Sequence, residues 1–222
     1  DDRWFCPGDG LAMPPVPPHM AQTASPMGAG LTFRLGEAVF AVTFGSELKT
    51  AAHAAMNGAD VIVCLDAVNA LAGSHQMRRA ALEVESASHH AGYVYACAGF
   101  GESTADLVFD GWTAVAEQGK VLAEGARFAL TGTKAVADVD MERLHFKRMQ
   151  DDAFRQARKP HHPMLPAIQL GEPVPAALPL LRPIDPMPFL PSGDHADARM
   201  QEIIDIQTTA LMTRLKAIWC KD

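Results

Sequence analysis

The side chains able to do chemistry in this chain of 222 residues are spread thinly, and their spacing limits what each can do. Cys6, Cys64, Cys97 and Cys220 are scattered and form no Cys-x-x-Cys pair, so neither a zinc motif nor a dithiol redox motif is indicated. Cys64 and Cys97 sit inside apolar runs, where a reduced, buried thiol is expected. His89-His90 and His161-His162 are adjacent pairs. Neighbours in sequence point apart on a helix or a strand, so a shared metal ion is not expected. The densest polar group is the loop Gly101 to Asp106, which follows Gly99-Phe100 and carries Glu102, Ser103 and Thr104. Glycines on either side of Glu102 allow close backbone approach or positive φ, which fits a polar loop at the rim of a sheet and equally a packed sheet corner.

The elements that must position that loop are legible on both sides of it. Tyr93–Ala98, Leu107-Val108-Phe109, Trp112–Ala116 and Lys120–Glu124 are apolar or alternating runs, the last two joined by Gln118-Gly119, and they read as strands with a hairpin. Upstream, Leu31, Phe33 and Leu35 alternate with polar neighbours, and Ala38–Phe44 follows the Leu35-Gly36-Glu37 turn as a second strand. Glu47–Asn57 is alanine-rich and predicts a helix ending at Gly58. Ala59–Leu65 reads as a buried strand. Ser74–His90 reads as a helix N-capped by Ser74, with Met77, Ala81, Val84 and Ala87 or Ser88 as its core stripe. Beyond Arg127, Ala135–Asp140 alternates as a last strand. Met141–Arg158 predicts one helix with Leu144, Met149 and Phe154 facing inward.

The ends are different in kind. Residues 1–30 are loop-like, rich in proline and glycine. Ten of the sixteen prolines fall in Lys159–Pro191, which reads as an extended linker. Met200, Ile203, Ile204, Gln207, Leu211, Leu215 and Ile218 then mark one long amphipathic helix. The formal charge of -7, with no long basic run, argues against nucleic acid or an anionic membrane surface as partner. No apolar run approaches the roughly 20 residues of a membrane span, and the first residues carry no signal-peptide pattern.

The segment YVYACAGFGESTADLVFDG resembles the late part of the amidase domain of glutamine-dependent NAD+ synthetases, a domain of the nitrilase or carbon–nitrogen hydrolase superfamily. Ala59–Leu65 is similar to that family's GADVIxNLSASN segment. Pro188-Phe189-Leu190-Pro191 and EIIDIQTTALMTRL resemble the PFxP element and the helix that open its synthetase half. The resemblance implies an α/β fold, the nitrilase-like four-layer α-β-β-α sandwich in incomplete form. Residues 1–158 would be a partial glutaminase domain, 159–191 a Pro-rich linker and 192–222 the first helix of a truncated synthetase domain.

In the family a cysteine at a strand-end elbow attacks the glutamine side-chain amide to give a thioester, with a lysine stabilising charge and a glutamate relaying protons. The aligned residues here are Thr43-Phe44-Gly45-Ser46-Glu47, which places Gly45 at the nucleophile and Ser46 at the acid beside it. Val68 stands where the family has a substrate-binding serine, with Asp66 at the preceding serine, and Ser74 stands where a basic residue is common. Glu102 completes the candidate substrate-site residues. Arg3-Trp4-Phe5 resembles the end of the lysine-bearing segment, so the lysine and the first catalytic glutamate are expected upstream of residue 1. The function implied is the glutaminase part of an NAD+ synthetase, supplying ammonia for ATP-dependent amidation of nicotinic acid adenine dinucleotide, in a chain that has lost the chemistry at Gly45. The alternative is a non-catalytic scaffold or subunit-interaction module. No cofactor is expected in this chain, since ATP and Mg2+ belong to the family's synthetase domain. Glutamine, that domain and further copies of the chain are the expected partners, in the cytoplasm.

Overall fold

The computed structural model describes residues 31–45, 51–102, 107–157, 167–171, 179–193 and 195–218. They fall into two units, Asp1–Arg182 and Pro183–Asp222.

The first unit is built on a seven-stranded sheet. Strands β1 (Thr32–Leu35) and β2 (Ala38–Phe44) form the expected hairpin, with Leu35 opposite Ala38 and Gly36 at φ 59 in the turn. Strand β3 (Val61–Asp66) pairs parallel to β2, and β4 (Gly92–Cys97) parallel to β3, so these three strands end at one edge of the sheet. Strands β5 (Thr113–Glu117) and β6 (Lys120–Glu124) close the other side as an antiparallel hairpin. Its turn residues Gln118 and Gly119 both have positive φ, 50 and 80, as a two-residue turn between right-twisted strands requires. The order is β6-β5-β4-β3-β2-β1-β7, where β7 is Ile168–Gln169.

Two helices supply the parallel crossovers, α1 (Ala51–Met56) between β2 and β3, and α2 (Ser74–Ser88) between β3 and β4. The core joins Ala51 and Ala55 of α1 and Leu82 of α2 to Ala41, Ile62, Cys64, Tyr93, Tyr95, Ala114 and Ala116 of the strands. Strand residues of the opposite parity stay open at the strand ends: Val42 is 39%, Leu65 40% and Phe44 64% exposed. The chain is thus mixed α/β with one sheet among the described residues; the second sheet of the four-layer expectation is not among them.

Several local expectations fail. The predicted stripe of α2 points outward, with Met77 76% and Val84 62% exposed. Its buried face carries Leu82 and Ser86, flanked by polar side chains that find partners below. Arg79 reaches Glu124 at 2.7 Å, and Ser86 Oγ accepts the Gly119 N–H at 3.0 Å. Ser74 is the first helical residue and not the cap: the cap is Gly73 in the left-handed region, and Ser74 Oγ donates back to the Leu71 carbonyl at 2.8 Å. Residues 107–109 contribute a single bridge, Asn69 to Phe109, and not a strand.

Nor do residues 135–140 form a strand. Val139 there packs so closely on β4 that a Cβ on Gly92 would lie 2.8 Å from its Cγ1. The helix predicted for 141–158 is two, α3 (Met141–Gln150) and α4 (Asp152–Ala157). The break is at Asp151, whose carboxylate accepts the Phe154 N–H at 3.0 Å and caps the second helix. Leu144 and Phe154 are buried as expected. Met149 is exposed, and Arg148 is buried in its place against Asp60 and the Ala59 and His90 carbonyls. Within the proline-rich tract, β7 pairs parallel with β1, Phe33 opposite Ile168.

The second unit, taken by itself, is dominated by α5 (Ala196–Ala217), none of whose residues is buried. The expected long helix is present, and its apolar stripe, including Met200, Ile203 and Leu211, lies exposed. No helix among the described residues is long and apolar enough to cross a membrane.

Candidate functional site

The carboxyl ends of β2, β3 and β4 lie at one edge because the three strands are parallel, and the candidate residues fall on the segments that leave it. Gly45 ends β2. Its N–H donates to the Leu65 carbonyl at 2.8 Å, and its φ is +64, a backbone that side-chain-bearing residues rarely adopt. Among the described residues a Cβ built there would meet nothing within 4 Å. Ser46 lies outside the described residues. Val68 follows β3 and its carbonyl accepts a weak hydrogen bond from the Cys97 thiol at 3.9 Å. Ser74 starts α2 with its hydroxyl already engaged by Leu71, so it does not stand in for a cation.

Glu102 follows β4 and is exposed. It lines a cleft of about 250 Å³ with Cys97, Phe100, Thr113, Leu130 and Thr133. Gly99 and Gly111 shape this cleft, since a Cβ on Gly99 would come within 3.3 Å of the Gly111 Cα. Ser103 and Thr104 are outside the described residues.

Beneath this edge lies a charged network that sequence reasoning missed. Asp110 is fully buried. Arg78 holds both of its carboxylate oxygens, Arg127 Nε donates to Oδ2 at 3.1 Å, and the Trp112 N–H donates to Oδ1 at 3.1 Å. Burial alone would push the Asp110 carboxyl up, but the Arg78 hydrogen bond, the Trp112 N–H and Arg127 together hold it below the usual carboxylate range. Arg78 is buried too, a cost outweighed by Asp110 and Tyr95, and it stays charged. The Arg78 guanidinium lies over the Trp112 ring at 5.6 Å, and His75 meets the same ring edge-on at 4.8 Å. Next to it, the Tyr95 hydroxyl donates to Asp66 Oδ2 at 2.8 Å, so this carboxylate is engaged by a core tyrosine. The signal available in sequence was an Arg-x-x-x-Leu-x-x-x-Ser face on α2, readable only once its partners on other strands are known.

The two described thiols, Cys64 and Cys97, are not activated. Cys97 is near the edge, but burial pushes its thiol up, against the lowering effect of its Val68 hydrogen bond. Cys64 is buried on β3 and accepts a hydrogen bond from the Thr43 hydroxyl at 3.2 Å; burial pushes its thiol up to about 11. Since the thiolate is the reactive form, both should resist iodoacetamide at pH 7.5 in the folded chain and alkylate fully in urea, as peptide mass mapping would show. Rapid native labelling of Cys97 would mean an activated thiol. Among the described residues no group of three or more His, Cys, Asp or Glu side chains is placed to hold a metal ion.

Fold and site together define a mixed α/β protein whose parallel strands end near Gly45, at positive φ, with a buried carboxylate–guanidinium network close by. No family model matches the chain. Its curated relatives are glutamine-dependent NAD(+) synthetases. That of Mycobacterium tuberculosis (strain ATCC 25618 / H37Rv) is 35% identical over 179 residues, 77% of this chain and 26% of that protein. That of Mycobacterium leprae (strain TN) is 35% identical over 175 residues, 75% of this chain and 25% of that protein. The chain is therefore homologous to part of these synthetases and spans about a quarter of their length. Solved structures similar to it include a glutamine-dependent NAD(+) synthetase from Cytophaga hutchinsonii (17% identity, TM-score 0.49, 61% of this chain and 22% of that one). Another is Saccharomyces cerevisiae Nit3, a member of the nitrilase superfamily (19% identity, TM-score 0.47, 63% and 51%).

Proposed function

We propose that this chain is the glutaminase-type part of a glutamine-hydrolysing NAD+ synthetase, and that it does not itself hydrolyse glutamine. Its similarity to part of the synthetases supports the first half of the reading. Gly45 carries the second: an elbow glycine offers no atom to attack an amide carbon, so the thioester route is closed. In the parent reaction, ammonia from glutamine amidates an adenylylated nicotinic acid adenine dinucleotide. ATP and Mg2+ would act in the synthetase part, and this chain would hold neither.

A second reading, a scaffold or subunit-interaction module, is favoured by the apolar side chains left open at the strand ends, Val42, Phe44 and Leu65. The two differ in what they need at residue 45. The test is ammonia release from glutamine by the 222-residue chain. No turnover above a heat-inactivated control is expected, because loss of a covalent nucleophile costs several orders of magnitude. Turnover above that control would sink the non-hydrolytic reading.

A further inference from the structure

Three carboxylates gather on the far side of the β5–β6 hairpin from the candidate site. Glu117 ends β5 with its side chain 1% exposed, and Asp138 and Asp140 stand beside it on the segment leading into α3. A buried carboxylate is stable only when its charge is met. Glu117 Oε2 accepts the Asp140 N–H at 2.8 Å, and a cation from far along the chain completes the arrangement: Arg182 donates from Nη2 to the same oxygen at 2.5 Å. That guanidinium also lies 3.4 Å from the Asp138 carbonyl and 3.8 Å from Asp140 Oδ2. The backbone is captured as well. Asp138 Oδ2 accepts two successive N–H groups, from Leu181 at 2.5 Å and from Arg182 at 3.0 Å.

We infer that Glu117, Asp138 and Asp140 form a built docking notch whose occupant is the chain's own Arg182, and that this clamp fixes where the proline-rich tract leaves the first unit. Besides the β7 pairing, the clamp is a second, independent attachment of the tract to the first unit. The inference stands apart from the proposed function, since it involves no residue of the candidate site.

Hydrogen–deuterium exchange on the 222-residue chain tests it, with Arg182→Ala and Asp138→Ala compared with the unaltered protein. In the unaltered chain the Leu181 and Arg182 amides should exchange at least tenfold more slowly than unprotected amides. Both variants should lose that protection while Tyr93 and Val94 in β4 keep theirs, and thermolysin should then cut at Leu180–Leu181. If Arg182→Ala also exposes β4, Asp138→Ala decides, because it leaves the Glu117–Arg182 pair in place. Unprotected Leu181 and Arg182 amides in the unaltered chain, or protection that survives Asp138→Ala, would overturn the clamp.

Discussion

Gly45→Cys should give a chain that iodoacetamide alkylates at residue 45 but that releases no more ammonia from glutamine than the unaltered protein. The new side chain has room, since no described residue lies within 4 Å of its Cβ. Its backbone is the obstacle: at φ +64 a residue with a Cβ costs about 1 kcal/mol or more relative to glycine, which the fold can bear. What the substitution cannot supply is the surrounding machinery. A thiol without a cationic partner titrates near 8.5 and is mostly protonated at neutral pH. Val68 is expected at a substrate-serine position of the family, and an apolar side chain there would leave a substrate polar group unsatisfied at about 1–3 kcal/mol. Asp66 is already held by the Tyr95 hydroxyl. The measurement is steady-state ammonia release, with labelling at residue 45 as the control that the elbow is accessible. Labelling together with turnover would show that the rest of the pocket is intact and that a nucleophile at residue 45 is all the chain lacks.

Asp110→Asn should lower the unfolding free energy by about 3–5 kcal/mol, the cost of removing one partner from a buried ion pair and leaving the other charge uncompensated. The stranded partners would be Arg78, whose side chain is 12% exposed, and Arg127. Urea unfolding would show it as a lower midpoint at unchanged slope; a loss under 1 kcal/mol would mean the network is not structural. A pH dependence follows. The folded Asp110 carboxyl titrates below its unfolded value, so the folded state binds fewer protons there. Its contribution is complete above the ordinary carboxylate range and is lost as pH falls through the lowered folded value. Stability of the unaltered chain should therefore drop more steeply with acid, below about pH 4, than that of Asp110→Asn.

Much of the fold was legible because the sheet obeys a local rule. Period-two or continuous apolar runs bounded by Gly36, Gly58 and Gln118-Gly119 specify β1 to β6 whatever lies around them, apart from a residue or two at the ends. The helix faces misread are those whose buried side is polar. On α2 the apolar count favoured Met77 and Val84, yet Arg78 and Ser86 point inward because Asp110 and the β5–β6 turn wait beneath them. On α3 Arg148 displaces Met149 for the same reason, through Asp60 and two carbonyls. A hydrophobic stripe is a good guide only where the surface below it is apolar too.

The amino-acid sequence by itself determined that residue 45 has no nucleophile, that the cysteines form no metal or redox motif, and that a proline-rich tract precedes one long helix, because each depends on residue identity alone. Tertiary structure alone decided that Gly45 takes a left-handed backbone, that Asp110 is a buried anion held by two guanidinium groups, and that Arg182 ties the tract back to Glu117. Those partners lie between 17 and 65 residues apart along the chain. Charge pairing over such separations leaves no periodicity to read, and desolvation, which makes it compulsory, exists only once the sheet has formed.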